Sequence, residues 1–444
     1  MKRLSSPRSA VASSRSSAEE SVYRKINRRL LPFLLLCYTF AYLDRVNIGF
    51  AKLHMQEDIP AITEAVFGIG AGLFFLAYAI LEIPSNMVMH RIGARKTITR
   101  IMVLWGIVSA SMLFVRDEFS FYALRILLGI FEAGFAPGII LYLTYWFPAK
   151  RMAAAMGIYM LAGPIGSILG SGVSAAIISA MDDLLGMAGW QWMFLVQGIP
   201  CLLLGYLFWK LMYDRPDDAP WLTAAEKAIV RRVITETDAA RSDHRFVDVL
   251  KNPAVYVMAV AYFGIMCGIY AVSFWLPTIL SDNGIRNNLT VGLLAAIPYV
   301  LTIPTMIFLS KSSDRTQDRH WHTIFPTILA AVGLTLAAFT SSNFLFSFTA
   351  LCVAICSAWG AYTVFWAVPS QHFGGTAAAG GIALINTVGI LGGFVAPTLL
   401  GFVKQATGST QGGLLAMVGL LGLSALALFL LPKSLKLKRN EVLN

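Results

Sequence analysis

An arginine and a glutamate seven positions apart, Arg125 and Glu132, sit inside the long apolar run Phe119–Trp146. A charge at the centre of a membrane span costs roughly 2.5–3.5 kcal/mol even on lenient insertion scales. Two such groups in one helix must therefore face protein or water. Seven residues are two helical turns, so both side chains fall on one face, about 10 Å apart. A second pair, Asp44 and Arg45, interrupts the first apolar run, CYTFAYLDRVNIGF. Being adjacent, these two point about 100° apart on a helix and do not pair with each other. A guanidinium offers a rigid fork that matches a carboxylate and keeps its charge in a dry site. Burial and a nearby arginine push a carboxyl group's proton affinity in opposite directions, so such a group can switch as its partner changes. Arg45 and Arg125 could thus receive an organic anion, and Asp44 and Glu132 could carry a proton. The same four residues could instead form a permanent ion-pair network between two helices.

Residues so expensive to bury need a scaffold that spans a bilayer, and the composition supplies one. The chain has 444 residues, of which 57% are hydrophobic and 13% charged, and a mean hydropathy of +0.67. Ordinary soluble domains carry about 25% charged residues, so the class is an all-α polytopic membrane protein. Twelve apolar spans are expected near 30–50, 64–89, 97–115, 119–146, 152–180, 190–212, 253–280, 290–310, 323–341, 344–369, 377–403 and 412–432. With both termini placed in the cytoplasm, the inside segments hold 28 Lys and Arg and the outside loops hold 4, namely Lys52, Arg116, Arg286 and Lys404. That asymmetry sets the orientation and accounts for the net charge of +11 without a nucleic-acid partner. Five domains follow: an N-terminal tail 1–29, a six-helix bundle 30–212, a cytoplasmic linker 213–252, a second six-helix bundle 253–432 and a C-terminal tail 433–444. Met1–Ser21 lacks the apolar core of a signal peptide and reads as a disordered tail. In the linker, Thr223 and Glu226 form a capping-box pattern at the start of a short helix. Each half carries a basic connection between its second and third spans, His90–Lys96 and Ser313–His322, which implies an internal duplication. The five cysteines lie in apolar runs and read as small core residues. LAGPIGSILGSG in the fifth span suits close helix packing. Asn288-Leu289-Thr290 has the form of a glycosylation sequon.

Taken with YLDRVNIGFA (Tyr42–Ala51), EIPSNMVMHRIGARK (Glu82–Lys96) and LRILLGIFEAGFAPGIILYLTYWFP (Leu124–Pro148), this layout resembles the major facilitator superfamily. Within it, WQWMFLVQGIP (Trp190–Pro200), DRPDDAPWLT (Asp214–Thr223) and GGIALINTVGILGGFVAP (Gly380–Pro397) are similar to the anion:cation symporter family, nearest its bacterial tartrate, phthalate and hydroxyphenylacetate permeases. The resemblance implies two six-helix bundles rocking around a midplane site, and import of a small organic carboxylate by proton symport. It implies that Arg45 grips the substrate carboxylate and that Asp44 and Glu132 couple the proton. His90 stands where the superfamily usually has an acidic residue, whereas the second-half loop keeps Asp314.

Around this centre, Tyr42, Tyr78, Thr363, Trp366 and Asn386 are further candidates for the cavity wall. Glu82, near the inner end of the second span, reads as a gate or loop anchor, together with Arg91, Gly93, Arg95, Lys96, Asp314 and Arg315. No cofactor beyond the coupling proton is expected, and the partners are a small organic anion, protons and the lipid of the bacterial inner membrane. The chain is expected to work as a monomer. A proton-coupled drug antiporter of the same superfamily is the alternative, and a non-transporting membrane sensor is another. An enzyme is disfavoured, because neither HExxH nor GxSxG occurs and no histidine lies near the four charges.

Overall fold

The computed structural model describes residues 7–238, 252–340, 343–372 and 375–431, and every regular element among them is a helix. The first half contains α1 (Pro7–Asp58), α2 (Glu64–Ile92), α3 (Ala94–Ser111), α4 (Glu118–Glu132), α5 (Phe135–Thr144), α6 (Ala149–Met160), α7 (Ala162–Ala180) and α8 (Gly189–Leu211). The linker contributes α9 (Ala224–Asp238). The second half contains α10 (Pro253–Asp282), α11 (Asn288–Thr316), α12 (His320–Phe339), α13 (Phe344–Phe365), α14 (Ala367–His372), α15 (Gly375–Ile390), α16 (Gly392–Thr407) and α17 (Gln411–Leu430). Among the described residues, eleven spans are long and apolar enough to cross a membrane. The remaining expected span is the middle of α1, where Asp44, Arg45 and Asn47 dilute the apolar run.

Short polar residues set where these helices begin. Thr63 accepts from Val66 N at the start of α2, and Asn287 and Asn343 accept in the same way at α11 and α13. Asp117 and Ser120 form a reciprocal capping box on α4. Each cap satisfies an amide that the helix cannot. In the linker, Thr223 N donates to Glu226 Oε2 at 2.7 Å and Glu226 N to Thr223 Oγ1 at 3.2 Å, which is the capping box expected there. On the helices, Phe308, Phe325, Leu345 and Leu430 are each more than 60% exposed. Apolar residues on this scale at a helical surface are what a lipid solvent accommodates.

Three expectations change. Residues from Pro7 onward continue α1 as helix, not as a disordered tail. Arg151 of α6 holds Glu20 at 2.7 Å and Glu19 at 3.4 Å, tying this stretch to the bundle. Lys52, counted above as an outside-loop cation, is fully buried within α1. Finally, the fourth, fifth, tenth and eleventh spans are each broken in two, after Glu132, Met160, Phe365 and Ile390. A proline lies four or five residues past the first three breaks, at Pro137, Pro164 and Pro369, and lacks the amide that the helix would need, while Pro397 lies inside α16. The fourth-span break also uses Gly134, whose φ of +87° suits glycine. Interrupted spans at corresponding places in two halves point to a ligand site between them.

The halves meet tightly near the loops assigned to the outside. A Cβ on Gly68 of α2 would stand 2.4 Å from Pro397 O of α16, so the two backbones touch. Thr63 Oγ1 donates to Gln405 Oε1 at 2.9 Å. Lys52 binds Glu64 at 2.6 Å and Thr278 Oγ1 at 3.0 Å, and lies 3.8 Å from the Trp275 ring centroid. Lys404 binds Asp282 at 2.8 Å. The outer side of the molecule is closed.

Candidate substrate and proton site

The charges anticipated in the first and fourth spans are all buried, and they divide into separate arrangements. Arg45 and Glu132 form one ion pair, with Nε and Nη2 of the arginine donating to Glu132 Oε1 at 2.8 and 2.5 Å. Both bonds end on a single oxygen, so guanidinium donors remain for a second acceptor. Asp44 does not join this pair. It accepts from Trp105 Nε1 at 2.6 Å, from Asn47 Nδ2 at 3.1 Å and from Ser109 Oγ. Asn47 in turn donates to Gln197 Oε1, and Gln197 to Ser174 Oγ, both at 2.9 Å. This chain of amides and hydroxyls ties α1 to α3, α7 and α8, and it gives Asp44 three neutral donors instead of a cation.

Arg125 departs from expectation. Its Nε and Nη2 donate to Gly70 O at 3.1 Å and Ala71 O at 3.3 Å in α2, and its guanidinium lies 5.0 Å from the Phe74 ring centroid. The Arg45 guanidinium faces the same ring at 5.6 Å. Arg125 does not line the central cavity, so one arginine, not two, stands in its wall. The seven-residue spacing puts Arg125 on the buried face of α4 but nearer the outer end, where it serves backbone carbonyls.

The cavity is bounded by Arg45, six tyrosines and Asn386. Tyr42, Tyr78 and Asn386 are there as anticipated. Tyr38, Tyr262, Tyr270 and Tyr362 were not anticipated. Tyr38 could have been found, since positions 38, 42 and 45 share one helical face; the other three come from α10 and α13 and reach the cavity only through the packing of the two halves. Tyr42 and Tyr78 lie 5.3 and 5.4 Å from the Arg45 guanidinium, which therefore sits among aromatic faces. Thr363 and Trp366 are not in the wall. Thr363 Oγ1 bonds back to Trp359 O at 2.9 Å, and Trp366 packs edge-on against Tyr262 with centroids 4.9 Å apart. Gly166 of the fifth span abuts α1, where a Cβ would meet Thr39 O at 2.5 Å, so that small-residue run serves close packing.

Glu82 lies deeper in the molecule than a loop anchor would. It is buried in α2, one turn beyond Tyr78, and its Oε1 accepts from Asn386 Nδ2 of α15 at 2.6 Å. The basic loop is anchored instead by the linker and the end of α8: Arg95 N donates to Asp214 Oδ1 at 2.8 Å, and Arg95 Nε to Trp209 O at 2.5 Å. Asp214 supplies an acid to the loop that carries His90. The side chain of His90 lies outside the described residues, Gly93 takes a φ of +91°, and Arg91 and Lys96 are exposed. In the second half Asp314 pairs with Arg319, while Arg315 is exposed.

A model of the Major Facilitator Superfamily matches residues 34–397. A protein of Agrobacterium vitis named "Putative tartrate transporter" is 43% identical over 424 residues, covering 94% of this chain and 96% of that one. A "Quinolone resistance transporter" of Acinetobacter baumannii is 36% identical over 410 residues, covering 91% and 94%. Among solved structures, a D-xylose–proton symporter superposes with a TM-score of 0.74 at 16% identity, covering 91% of this chain and 97% of that one. Twelve-span architecture, paired broken helices and these relationships together place the chain in the major facilitator superfamily, as a multi-pass membrane transporter and not an enzyme.

Proposed function

We propose that this transporter imports a small organic carboxylate together with a proton, by alternating access between its two six-helix bundles. The observation that carries the proposal is Arg45: a buried guanidinium in the wall of a central cavity, bonded to one oxygen of Glu132, with donors left for another carboxylate. An incoming anion would compete with Glu132 for Arg45, and protonation of Glu132 would release the arginine to the anion. Competition of this kind couples the two ligands, because each changes the other's affinity by the same factor. The relative named for tartrate supports an organic acid as cargo.

Uptake into proteoliposomes tests this. Carboxylates should accumulate when an inward proton gradient is imposed, and the matching amides should not. Equal accumulation of acid and amide would refute the proposal. The six-tyrosine wall and the relative named for quinolone resistance favour a second reading, proton-driven export of a planar drug. Drug-dependent proton release from the same vesicles, without carboxylate uptake, would decide for it.

A further inference from the structure

Four carboxylates stand along the seam between the halves or beside the cavity, Asp44, Glu82 and Glu132 buried and Glu64 partly exposed, and three of them have a cation or several donors. Asp44 has three donors, Glu132 has Arg45, and Glu64 has Lys52 and Lys404. Glu82 is different. It is 3% exposed, it forms no ion pair among the described residues, and its single hydrogen bond comes from a neutral amide. Its second oxygen, Oε2, is buried with no hydrogen-bond partner; Glu132 Oε2 is also unbonded, but that carboxylate is paired with Arg45, whereas Glu82 has no cation bonded to it among the described residues. Protonation would remove the uncompensated charge from a carboxyl group left with this unbonded oxygen.

The groups facing Glu82 do not remove this deficit. From α1, Arg45 acts on it but is already bonded to Glu132 of α4. From α2 itself comes Tyr78, on which Glu132, Arg45 and Tyr270 of α10 also act, and from α15 comes Asn386. A lone buried carboxylate costs far more than a protonated one in the same place. The placement makes that cost matter for transport. The Asn386–Glu82 bond joins the two halves on the inner side of the cavity, opposite the closed outer seam, and Asn386 is itself part of the cavity wall.

We propose that Glu82 is a proton-carrying residue of this transporter and that its protonation sets the inner contact between α2 and α15. With the cavity open outward, Glu82 takes a proton from cavity water and the inner contact stays closed as a neutral pair. Opening inward brings cytoplasmic water to the carboxyl group, which returns the proton to it. The bond made on one side is the O–H bond broken on the other, so the step balances without a further reactant.

This rests on the proton-coupled reading above, but it is tested without substrate. Infrared difference spectra of the purified, ligand-free protein between about pH 5 and 9 should show a carboxylic C=O band replaced by carboxylate as pH rises. Glu82→Gln should remove that band, Glu82→Asp should restore it at a shifted position, and Glu132→Gln and Asp44→Asn should retain it. A merely structural glutamate would give no titrating band. A second measurement reads the contact. Cysteines at Thr63 and Gln405 flank the outer seam, and a short reagent with two thiol-reactive methanethiosulfonate ends should join them roughly threefold less at the acid end, where a protonated Glu82 favours outward opening. Glu82→Gln should make that yield independent of pH. A wild-type spectrum without a titrating carboxyl band, or a band lost in Glu132→Gln or Asp44→Asn but kept in Glu82→Gln, overturns the proposal. A wild-type protein that shows the Glu82 band yet never concentrates a carboxylate on a proton gradient refutes the symport reading instead.

Discussion

At the scale of single residues, the two arginines of the first and fourth spans have different jobs, and substitution should separate them. Arg45→Lys replaces a planar fork with a point charge in the cavity wall, and carboxylate affinity should fall roughly tenfold or more. Arg125→Lys should leave that affinity within about twofold, because Arg125 serves Gly70 and Ala71 carbonyls and no part of the cavity; its effect should appear in thermal stability. Calorimetry and melting of both variants check the pair of statements. Glu132→Gln imitates a protonated carboxyl group and frees Arg45. Binding and counterflow should persist while accumulation driven by a pH gradient is lost. If the Arg45–Glu132 pair were only a structural tie, the unpaired arginine would cost about 3–5 kcal/mol, and expression and binding would fall together. Measuring all three activities on one purified sample distinguishes the outcomes.

At the scale of elements, two contacts between helices give tests. Gly68 lets α2 touch α16 backbone to backbone. Gly68→Ala places a methyl group where there is no room, so the outer seam should loosen, and the yield of the Thr63–Gln405 crosslink should drop. A yield equal to that of wild type would show that the seam absorbs the methyl without separating. On the cytoplasmic side, α9 is tied to α1 by Lys25, whose ammonium lies 2.9 Å from Glu226. That hydrogen bond, with the Thr223 cap, holds the Glu226 carboxyl below its ordinary value. A depressed carboxyl value means the contribution is present above the unfolded value and lost as pH falls through the folded one. Amide exchange across α9 should therefore accelerate at acid pH below that range, and Glu226→Gln should remove the acid dependence. Exposure of the pair keeps the effect small, about 1 kcal/mol or less.

At the scale of the whole molecule, the outer seam is shut by Lys52, Glu64, Lys404, Asp282 and the α2–α16 contact, while the inner side is joined at Glu82 and Asn386. If the halves rock around the cavity, locking the outer seam must stop transport. Quantitative crosslinking of cysteines placed at Thr63 and Gln405, which are both exposed, should abolish uptake and leave binding from the inner side intact. Uptake through fully crosslinked protein would rule out rocking of the halves. The measurement uses the whole chain in proteoliposomes, since neither half is shown to fold alone.

Much of this was legible in the residue order because a bilayer limits what a chain can do. Runs of about 20 apolar residues must be helices, and basic loops orient them. Charges as expensive as Asp44, Arg45, Arg125 and Glu132 had to be buried against protein, and they are. Local order also carried the Thr223–Glu226 cap, because its partners are three residues apart. What local order could not carry is partnership between distant segments. Which carboxylate meets which arginine depends on how α1 and α4 pack, so Arg45 found Glu132 while Arg125 turned to the carbonyls of α2. The tyrosines of α10 and α13 joined the cavity, and Trp366 and Thr363 fell behind it, through the angle at which one half leans on the other. Glu82 and Asn386 are 304 positions apart, and Asp214 and Arg95 are 119 apart. At such separations sequence spacing says nothing about distance. Only the closed tertiary structure brings the unpaired carboxyl group to the wall between the halves.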